Sequence, residues 1–113
     1  MNIIIVGSKK LTNDLAYSLA TGGHKVRQIE EIEIDDKKLM NAGIKDADVL
    51  LAMALDDNVN IMVSLIAKKI YSVTTIVAVV NDSSKTFIYD KFGISAINLV
   101  QLEIQALKNM IPA

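Results

Sequence analysis

The first thirty residues contain the residue types and spacing that bind phosphate groups. An apolar run at residues 2–6 leads into Gly7, and a segment patterned as a helix follows, ending at Gly22-Gly23. A strand, a glycine turn and a helix in this order open dinucleotide-binding folds, where the pyrophosphate lies at the helix N-terminus. That terminus attracts anions because its N–H groups are unpaired and the helix dipole places about half a positive charge there.

The glycine fingerprint at this turn is incomplete. The pattern G-x-G-x-x-G calls for glycine again at positions 9 and 12, where this chain has Lys9 and Thr12. Lys9 either fills the space of a phosphate or, with Lys10, offers it an ammonium group, and both lysines also fit solvated turn positions. Thr12 is expected to widen the spacing between helix and strand. The candidate phosphate-binding turn comprises Gly7, Ser8, Lys9, Lys10, Leu11 and Thr12.

An acidic side chain ends the second predicted strand, about twenty residues beyond the glycine turn. Glu30 stands where an acid holds the ribose hydroxyls of adenosine in dinucleotide-binding folds. It also begins an acidic series with Glu31 and Glu33, and edge strands often carry such charges for solubility alone. Both interpretations of Glu30 remain open.

A second polar cluster, residues 56–60, follows a predicted strand at residues 48–53. It is expected at the carboxyl end of the sheet, where open α/β folds bind their ligands. Asp and Asn side chains also pair the free N–H groups of a helix start. For Asp56 and Asp57, capping of the next helix is favoured over ligand contact.

No catalytic set is recognisable. His24, the single histidine, follows the Gly-Gly turn on the far edge from the expected pocket, and we interpret it as a turn residue. None of the three tyrosines has a lysine four residues later, so the tyrosine-lysine pair of short-chain dehydrogenases is missing. The chain has no cysteine, which excludes disulfides, thiolate chemistry and cysteine metal sites. We predict a protein that is not an enzyme and binds no metal.

Strands and helices alternate along the chain. Further strands are predicted at 26–29, 75–80 and 95–98, and helices at 11–20, 59–70, 85–92 and from 99 to about 110. This rhythm predicts one α/β domain over residues 1–113, Rossmann-like and doubly wound, with a mainly parallel sheet covered on both faces. The apolar run at residues 49–52 predicts burial on both faces of its strand.

The sheet is expected to be shortened after its second strand. A parallel crossover needs about a dozen residues or more, yet residues 31–34 follow strand two directly and cannot form a regular third strand. We expect strand two to run on or bend, with its alternating Glu and Ile on a half-exposed edge. Strand two is therefore predicted at or near the sheet edge, and the path of residues 30–38 is left undetermined.

Charge and hydropathy exclude several classes of function. The formal net charge is −1 and the lysines are dispersed, which argues against nucleic acid and anionic membrane surfaces as partners. Apolar residues make up 51% of the chain, but every run is interrupted before the roughly eighteen that a membrane span needs. The amino terminus enters a strand at once, without a secretory signal, so a cytoplasmic location is expected.

The terminal helix is apolar over more than one face. An exposed patch of this kind usually contacts another chain, and this is favoured over closure onto the domain's own sheet.

Several stretches together resemble a known family. They are residues 3–7 (IIIVG), 42–49 (AGIKDADV), 56–60 with 64–69 (DDNVN, SLIAKK), 80–82 (VND) and 92–94 (FGI). In these the chain resembles the N-terminal domain of regulators of potassium conductance, the TrkA-N or RCK domain. The resemblance implies a cytoplasmic subunit, assembled as dimers within a ring of like or related RCK subunits, that regulates a membrane potassium channel or transporter.

The resemblance also implies NAD(H) or ATP/ADP bound at the carboxyl edge of the sheet. The matching positions are Gly7 to Thr12, Glu30, Met53 and Ala54. The chain departs from the family at the two lost glycines, at Val79 in place of an arginine, and in the missing helix and strand after strand two. Within these 113 residues we expect no counterpart of the family's C-terminal ligand-binding domain.

Two hypotheses follow from the resemblance and its departures. One is a regulatory subunit that binds a nucleotide weakly, and the other is an assembly module that binds none. A phosphoacceptor receiver, another parallel α/β domain of this size, is disfavoured because residues 7–10 (GSKK) stand where its acidic cluster belongs.

Overall fold

A computed structural model describes residues 1–112, and at Glu33 the backbone alone. Five parallel strands form one sheet in the order β2-β1-β3-β4-β5, joined by helices. In chain order the elements are β1 (Asn2–Gly7), α1 (Lys9–Thr21), β2 (Lys25–Ile29), α2 (Asp36–Asn41), β3 (Val49–Met53), α3 (Asp57–Lys69), β4 (Thr75–Val79), α4 (Thr86–Lys91), β5 (Ser95–Ile97) and α5 (Leu99–Asn109). The predicted Rossmann-like, mainly parallel α/β fold is confirmed.

Strand β1 lies inside the sheet, between β2 and β3. Its residues 3–6 are buried because strands flank both edges and side chains pack on both faces. The chain moves outward from β1 first to β2 and then, after a crossover, to β3 on the other side. Ligands of open α/β sheets bind at the carboxyl ends of the strands, at such a reversal. Strand β2 lies at the sheet edge, as predicted.

The segment after β2 differs from the expectation. Strand β2 does not run on: it ends at Ile29, a short 3₁₀ turn spans Glu31–Glu33, and α2 follows. The helix expected to be missing after strand two is therefore present as the short α2, and among the described residues only the strand is missing. The carboxylate of Asp35 accepts a 2.7 Å hydrogen bond from the N–H of Lys38, which caps α2, and Leu39 is completely buried in the main core. A helix that buries Leu39 is favoured over an extended edge that leaves it in water. The Glu33 side chain, part of the expected alternation, lies outside the described residues.

The two faces of the sheet are covered unequally. Helices α2, α3 and α4 cover one face over a core that includes Leu50, Ala52 and Val63. On the other face α1 packs over β1 and β2. Val49, Leu51 and Met53 of β3 point to that second face and are only half-buried. The predicted burial of β3 on both faces is therefore wrong for this face, because no described helix covers it there.

Helix α5 runs away from the sheet, and each of its residues is exposed. The radius of gyration is 14.5 Å, against about 13 Å for a compact domain of roughly 100 residues. The uncovered face of the sheet holds a groove of about 180 Å³, lined by Leu15, Leu51, Met53, Val77, Val79, Ile97 and Leu99. No described helix is long and apolar enough to cross a membrane.

Candidate functional site

The turn after β1 depends on Gly7. This residue pairs in register with Met53 of β3, and a Cβ added to it would lie 2.6 Å from the carbonyl oxygen of Met53 and 3.2 Å from Cγ2 of Thr12. The first distance is too short for a side chain, because the atom it meets is backbone, and the second is a tight contact. Gly7 therefore allows β1, β3 and α1 to approach closely, whether or not a ligand is present.

Thr12 occupies the place of the third glycine and is 1% exposed. Its hydroxyl lies 2.6 Å from Oε1 of Gln28 on β2 and 3.2 Å from the carbonyl oxygen of Ser8. With one proton, it donates to one of these acceptors at a time. The threonine thus links α1 to β2 by a polar contact where a glycine would allow bare backbone packing.

The N-terminus of α1 has no side-chain cap among the described residues. Ser8 is the N-cap residue, but its hydroxyl makes no capping hydrogen bond, whereas Asp56 caps α3 and Asn98 caps α5. The carbonyl oxygen of Ser8 accepts from the N–H groups of Leu11 and Thr12. The first turn of α1 contains no acidic residue, and it carries Lys9 and Lys10 against the helix dipole. The positive potential at this helix end is therefore not offset by an acidic side chain of the first turn.

A cavity of about 250 Å³ adjoins this helix end at the carboxyl end of β2. The side chains that matter for its chemistry are Lys9, Arg27, Gln28, Glu30, Lys38 and Asn41. They come from α1, β2, the residue after β2, and α2. The structure therefore brings two of the predicted site residues, Lys9 and Glu30, together around one cavity.

Glu31 closes part of the carboxyl edge. Its carboxylate oxygens accept from the N–H of Leu55, at 3.2 and 3.3 Å, in the loop that follows β3. Since β1 lies between β2 and β3, this contact crosses the carboxyl end of β1. The contact occupies the N–H of Leu55 at the point where the strand order reverses. The part of the carboxyl edge beside β2 is therefore the more open part.

The predicted residues at the end of β3 lie apart from the cavity. Met53 lines the apolar groove on the opposite face of the sheet. Ala54 is buried, and its N–H and carbonyl groups both pair with the side-chain amide of Asn60, each at 2.8 Å. Neither backbone group of Ala54 is free to bind a ligand.

The polar cluster after β3 stabilises the fold. Asp56 caps α3, as favoured from the sequence, by accepting from the N–H of Asn58. Asp57 instead accepts from the N–H groups of Asn81 and Asp82, each at 2.8 Å. This carboxylate joins the start of α3 to the end of β4. The side chain and N–H of Ser84 donate to Asp82 and lower the pKa of that carboxyl group.

Sequence reasoning missed Arg27, Lys38 and Asn41 as cavity residues. Arg27 had no usable signal, because side chains three positions apart on a strand point to opposite faces and the spacing to Glu30 therefore does not bring the two together. Lys38 and Asn41 had none, since the turn after β2 brings them to the cavity. His24 lies in the turn between α1 and β2, with Nδ1 3.3 Å from the amino terminus.

A known protein family matches more than half of this chain. The TrkA-N domain model matches residues 33–99 of this chain. The matched range begins after β2. Both Glu30 and the turn at Gly7 therefore lie outside it.

A curated relative extends over the whole chain. The Trk system potassium uptake protein TrkA of Streptomyces coelicolor is 26% identical over 133 aligned residues, which take in 100% of this chain and 60% of the relative. The chain thus spans well under two thirds of that relative's length. Because the alignment is longer than the 113 residues of this chain, the relative has residues that this chain lacks.

Two solved structures show the same fold. The crystal structure of the GsuK RCK domain superposes with a TM-score of 0.82 at 20% identity, covering 96% of this chain and 27% of that one. Vibrio cholerae chemotaxis protein CheY4 superposes with a TM-score of 0.59 at 15% identity, covering 97% and 98% of the two chains. The second likeness follows from the strand order 2-1-3-4-5, which flavodoxin-like domains share.

Proposed function

Since this chain belongs to the TrkA-N domain family, we propose that it is a cytoplasmic regulatory domain or subunit of a potassium channel or transporter. The family match over residues 33–99 is the observation that carries the proposal. The relative from Streptomyces coelicolor, a potassium uptake protein, supports the same transport process. In this role the chain catalyses no reaction and reaches the inner membrane through the transporter it regulates.

We propose that the regulatory ligand is an adenine nucleotide, NAD(H) or ATP/ADP, bound at the carboxyl ends of β1 and β2. The uncapped N-terminus of α1 supplies N–H groups and positive potential for the phosphates, and Lys9 adds a cation. Glu30 supplies a carboxylate acceptor for a ribose hydroxyl in the adjoining cavity. Ile32 and Leu55 expose apolar side chains to the adenine ring. Ile32 follows Glu31 in the chain, and the N–H of Leu55 donates to the Glu31 carboxylate.

Binding at this site is expected to be weak. Lys9 and Thr12 replace the glycines that let a pyrophosphate approach the backbone. Val79 offers no cationic partner, and Glu31 already pairs with the N–H of Leu55. Each charge-assisted hydrogen bond that is missing costs roughly 1.5 to 3 kcal/mol. We expect dissociation constants in the micromolar range or above, equivalent to about −8 kcal/mol or less favourable.

Assembly with a second copy is the other part of the proposal. Helix α5 exposes an apolar stripe at Val100, Ile104 and Leu107, and the sheet exposes an apolar groove beside β3 and β4. Two copies that exchange α5 into each other's groove bury both surfaces, which a monomer leaves in water. The expected states are a homodimer or a higher ring with itself or with related RCK subunits.

A second candidate function is an assembly module that binds no nucleotide. The pairing of Glu31 with Leu55 and of Asn60 with Ala54 favours it, because both use backbone groups at the carboxyl edge of the sheet. Such a module acts only through α5 and the apolar groove.

Calorimetric titration of the full chain with NAD, NADH, ATP and ADP separates the two candidates. Micromolar binding of at least one nucleotide, weakened about tenfold by Glu30→Gln, supports the regulatory site. Glu103→Gln, on exposed α5, is the matched control and should bind as the wild type does. Absence of binding for all four nucleotides contradicts the regulatory site and leaves the assembly module.

A further inference from the structure

The cavity beside Glu30 has an unusual charge for a ribose site. Three cationic side chains, those of Lys9, Arg27 and Lys38, line it with the single carboxylate of Glu30. A ribose with free hydroxyls needs one acceptor and no cation. Lys9 is accounted for by the phosphates at the helix end, but the positive charges of Arg27 and Lys38 are not explained by an unmodified ribose.

The three cations come from separate elements of the fold. Lys9 begins α1, Arg27 lies on β2, and Lys38 lies on α2, which follows a single 3₁₀ turn after β2. All three are exposed and line one cavity, which gives the cavity a positive potential that favours an anion. A phosphate monoester carries about 1.5 to 2 negative charges near neutral pH and accepts several hydrogen bonds.

From this geometry we propose that the site takes an adenine nucleotide with a phosphate monoester on its ribose, in preference to one with a free ribose diol. The inference rests on the proposed nucleotide-binding function. Arg27 is the specificity-determining residue, because its planar guanidinium group can hold two phosphate oxygens at once. Lys9 and Lys38 add positive charge on either side, and Asn41 adds an amide donor.

Adenosine nucleotides with two phosphates test the preference. Adenosine 2′,5′-bisphosphate carries one phosphate at the 2′ position and one at the 5′ position, whereas ADP carries both at the 5′ position. We expect the 2′,5′-bisphosphate to bind the full chain about tenfold tighter than ADP, although both carry two phosphates. Adenosine 3′,5′-bisphosphate is tested as well. If it binds more tightly than the 2′,5′-bisphosphate, the preferred ribose phosphate is at the 3′ position.

Variants connect the preference to the cavity. Arg27→Gln should reduce the advantage of the bisphosphate over ADP to about twofold or less, because the bisphosphate loses more affinity than ADP does. Lys25→Gln is the matched control, because Lys25 lies two residues earlier on the same strand and outside this cavity. It should preserve the advantage.

The outcomes distinguish a failure of the ribose-phosphate preference from a failure of nucleotide binding itself. Equal affinity for ADP and both bisphosphates overturns the preference and leaves nucleotide binding intact. An advantage that survives Arg27→Gln overturns the assignment to this cavity. If none of the adenine nucleotides binds, the proposed nucleotide-binding function fails together with the preference.

Discussion

The hydroxyl of Thr12 lies 2.6 Å from the side-chain oxygen of Gln28 and joins the first helix to the edge strand of the sheet. Thr12 stands where dinucleotide-binding folds have the glycine that brings helix and strand together. At this position the chain has a buried polar link instead. The same residue that departs from the glycine fingerprint therefore contributes to the stability of the fold.

Thr12→Val should destabilise the fold, because valine keeps the shape of threonine and removes only the donor to Gln28. We expect a loss of about 1 to 2 kcal/mol in the free energy of unfolding, measured by urea denaturation. Thr21→Val removes the hydroxyl of an exposed threonine at the other end of α1, and should change stability by less than about 0.5 kcal/mol. Equal losses in the two variants would show that the link to Gln28 contributes little.

Asn60→Ala should cause a larger loss. Asn60 is 0% exposed, and its amide pairs with both backbone groups of Ala54 and with the carbonyl oxygen of Val79. Truncation leaves these buried groups without partners, at an expected cost of about 2 to 4 kcal/mol. Asn58→Ala, on an exposed position of the same helix, is the control for thermal and urea unfolding. A loss below about 1 kcal/mol at Asn60 would contradict this account.

Tyr89→Phe should change the stability at alkaline pH. Tyr89 is 1% exposed, its hydroxyl has no partner among the described residues, and burial raises its pKa to about 12, with a smaller contribution from Asp57. Because this pKa lies above the unfolded value of about 10, the neutral hydroxyl's contribution is intact below pH 10 and is lost as the pH rises toward 12. The Phe variant should therefore lose less stability than the wild type between pH 10 and 12.

At neutral pH the same variant should be as stable as the wild type, or more stable by about 1 kcal/mol, since it removes an unpaired buried hydroxyl. Tyr17→Phe, at a position 74% exposed, is the control and should leave the pH dependence unchanged. Denaturation midpoints measured across the pH range give the comparison. A destabilised Tyr89→Phe variant at pH 7 would mean that the hydroxyl has a partner in solution.

Leu107→Lys should dissociate the assembly. Leu107 is 62% exposed on α5 and makes part of the apolar stripe proposed to enter the groove of a second copy. We expect the wild type to have the mass of a dimer or larger by light scattering at micromolar concentration, and this variant to shift toward the monomer. Gln105→Lys places the same charge elsewhere on the helix and should leave the mass unchanged. A monomeric wild type at high concentration would refute the exchange of α5.

Strands β1, β3 and β4 were readable from the sequence because each is a short apolar run between turn residues. The same pattern misled after β2, where alternating Glu and Ile resembled an exposed edge strand. The helix α2 forms there instead, because it buries Leu39 in the core and Asp35 caps its N-terminus. Local alternation could not indicate this, because the gain from burying Leu39 depends on a core built by distant residues.

The candidate site was predictable in part. Gly7 and Glu30 are recognisable from their spacing along the chain, but the cavity that Glu30 lines with Lys9 is not. Lys38 reaches it because α2 folds back beside β2, and Met53 is removed from it because its side chain points to the other face of β3.

The sequence by itself determined the alternation of strands and helices, and with it the parallel Rossmann-like sheet, because periodicity and turn residues act over a few positions. Only the tertiary structure decided which charges share a cavity and which apolar face stays uncovered. Both depend on the direction in which α2 and α5 leave the sheet, and that direction is set by packing between residues far apart in the chain.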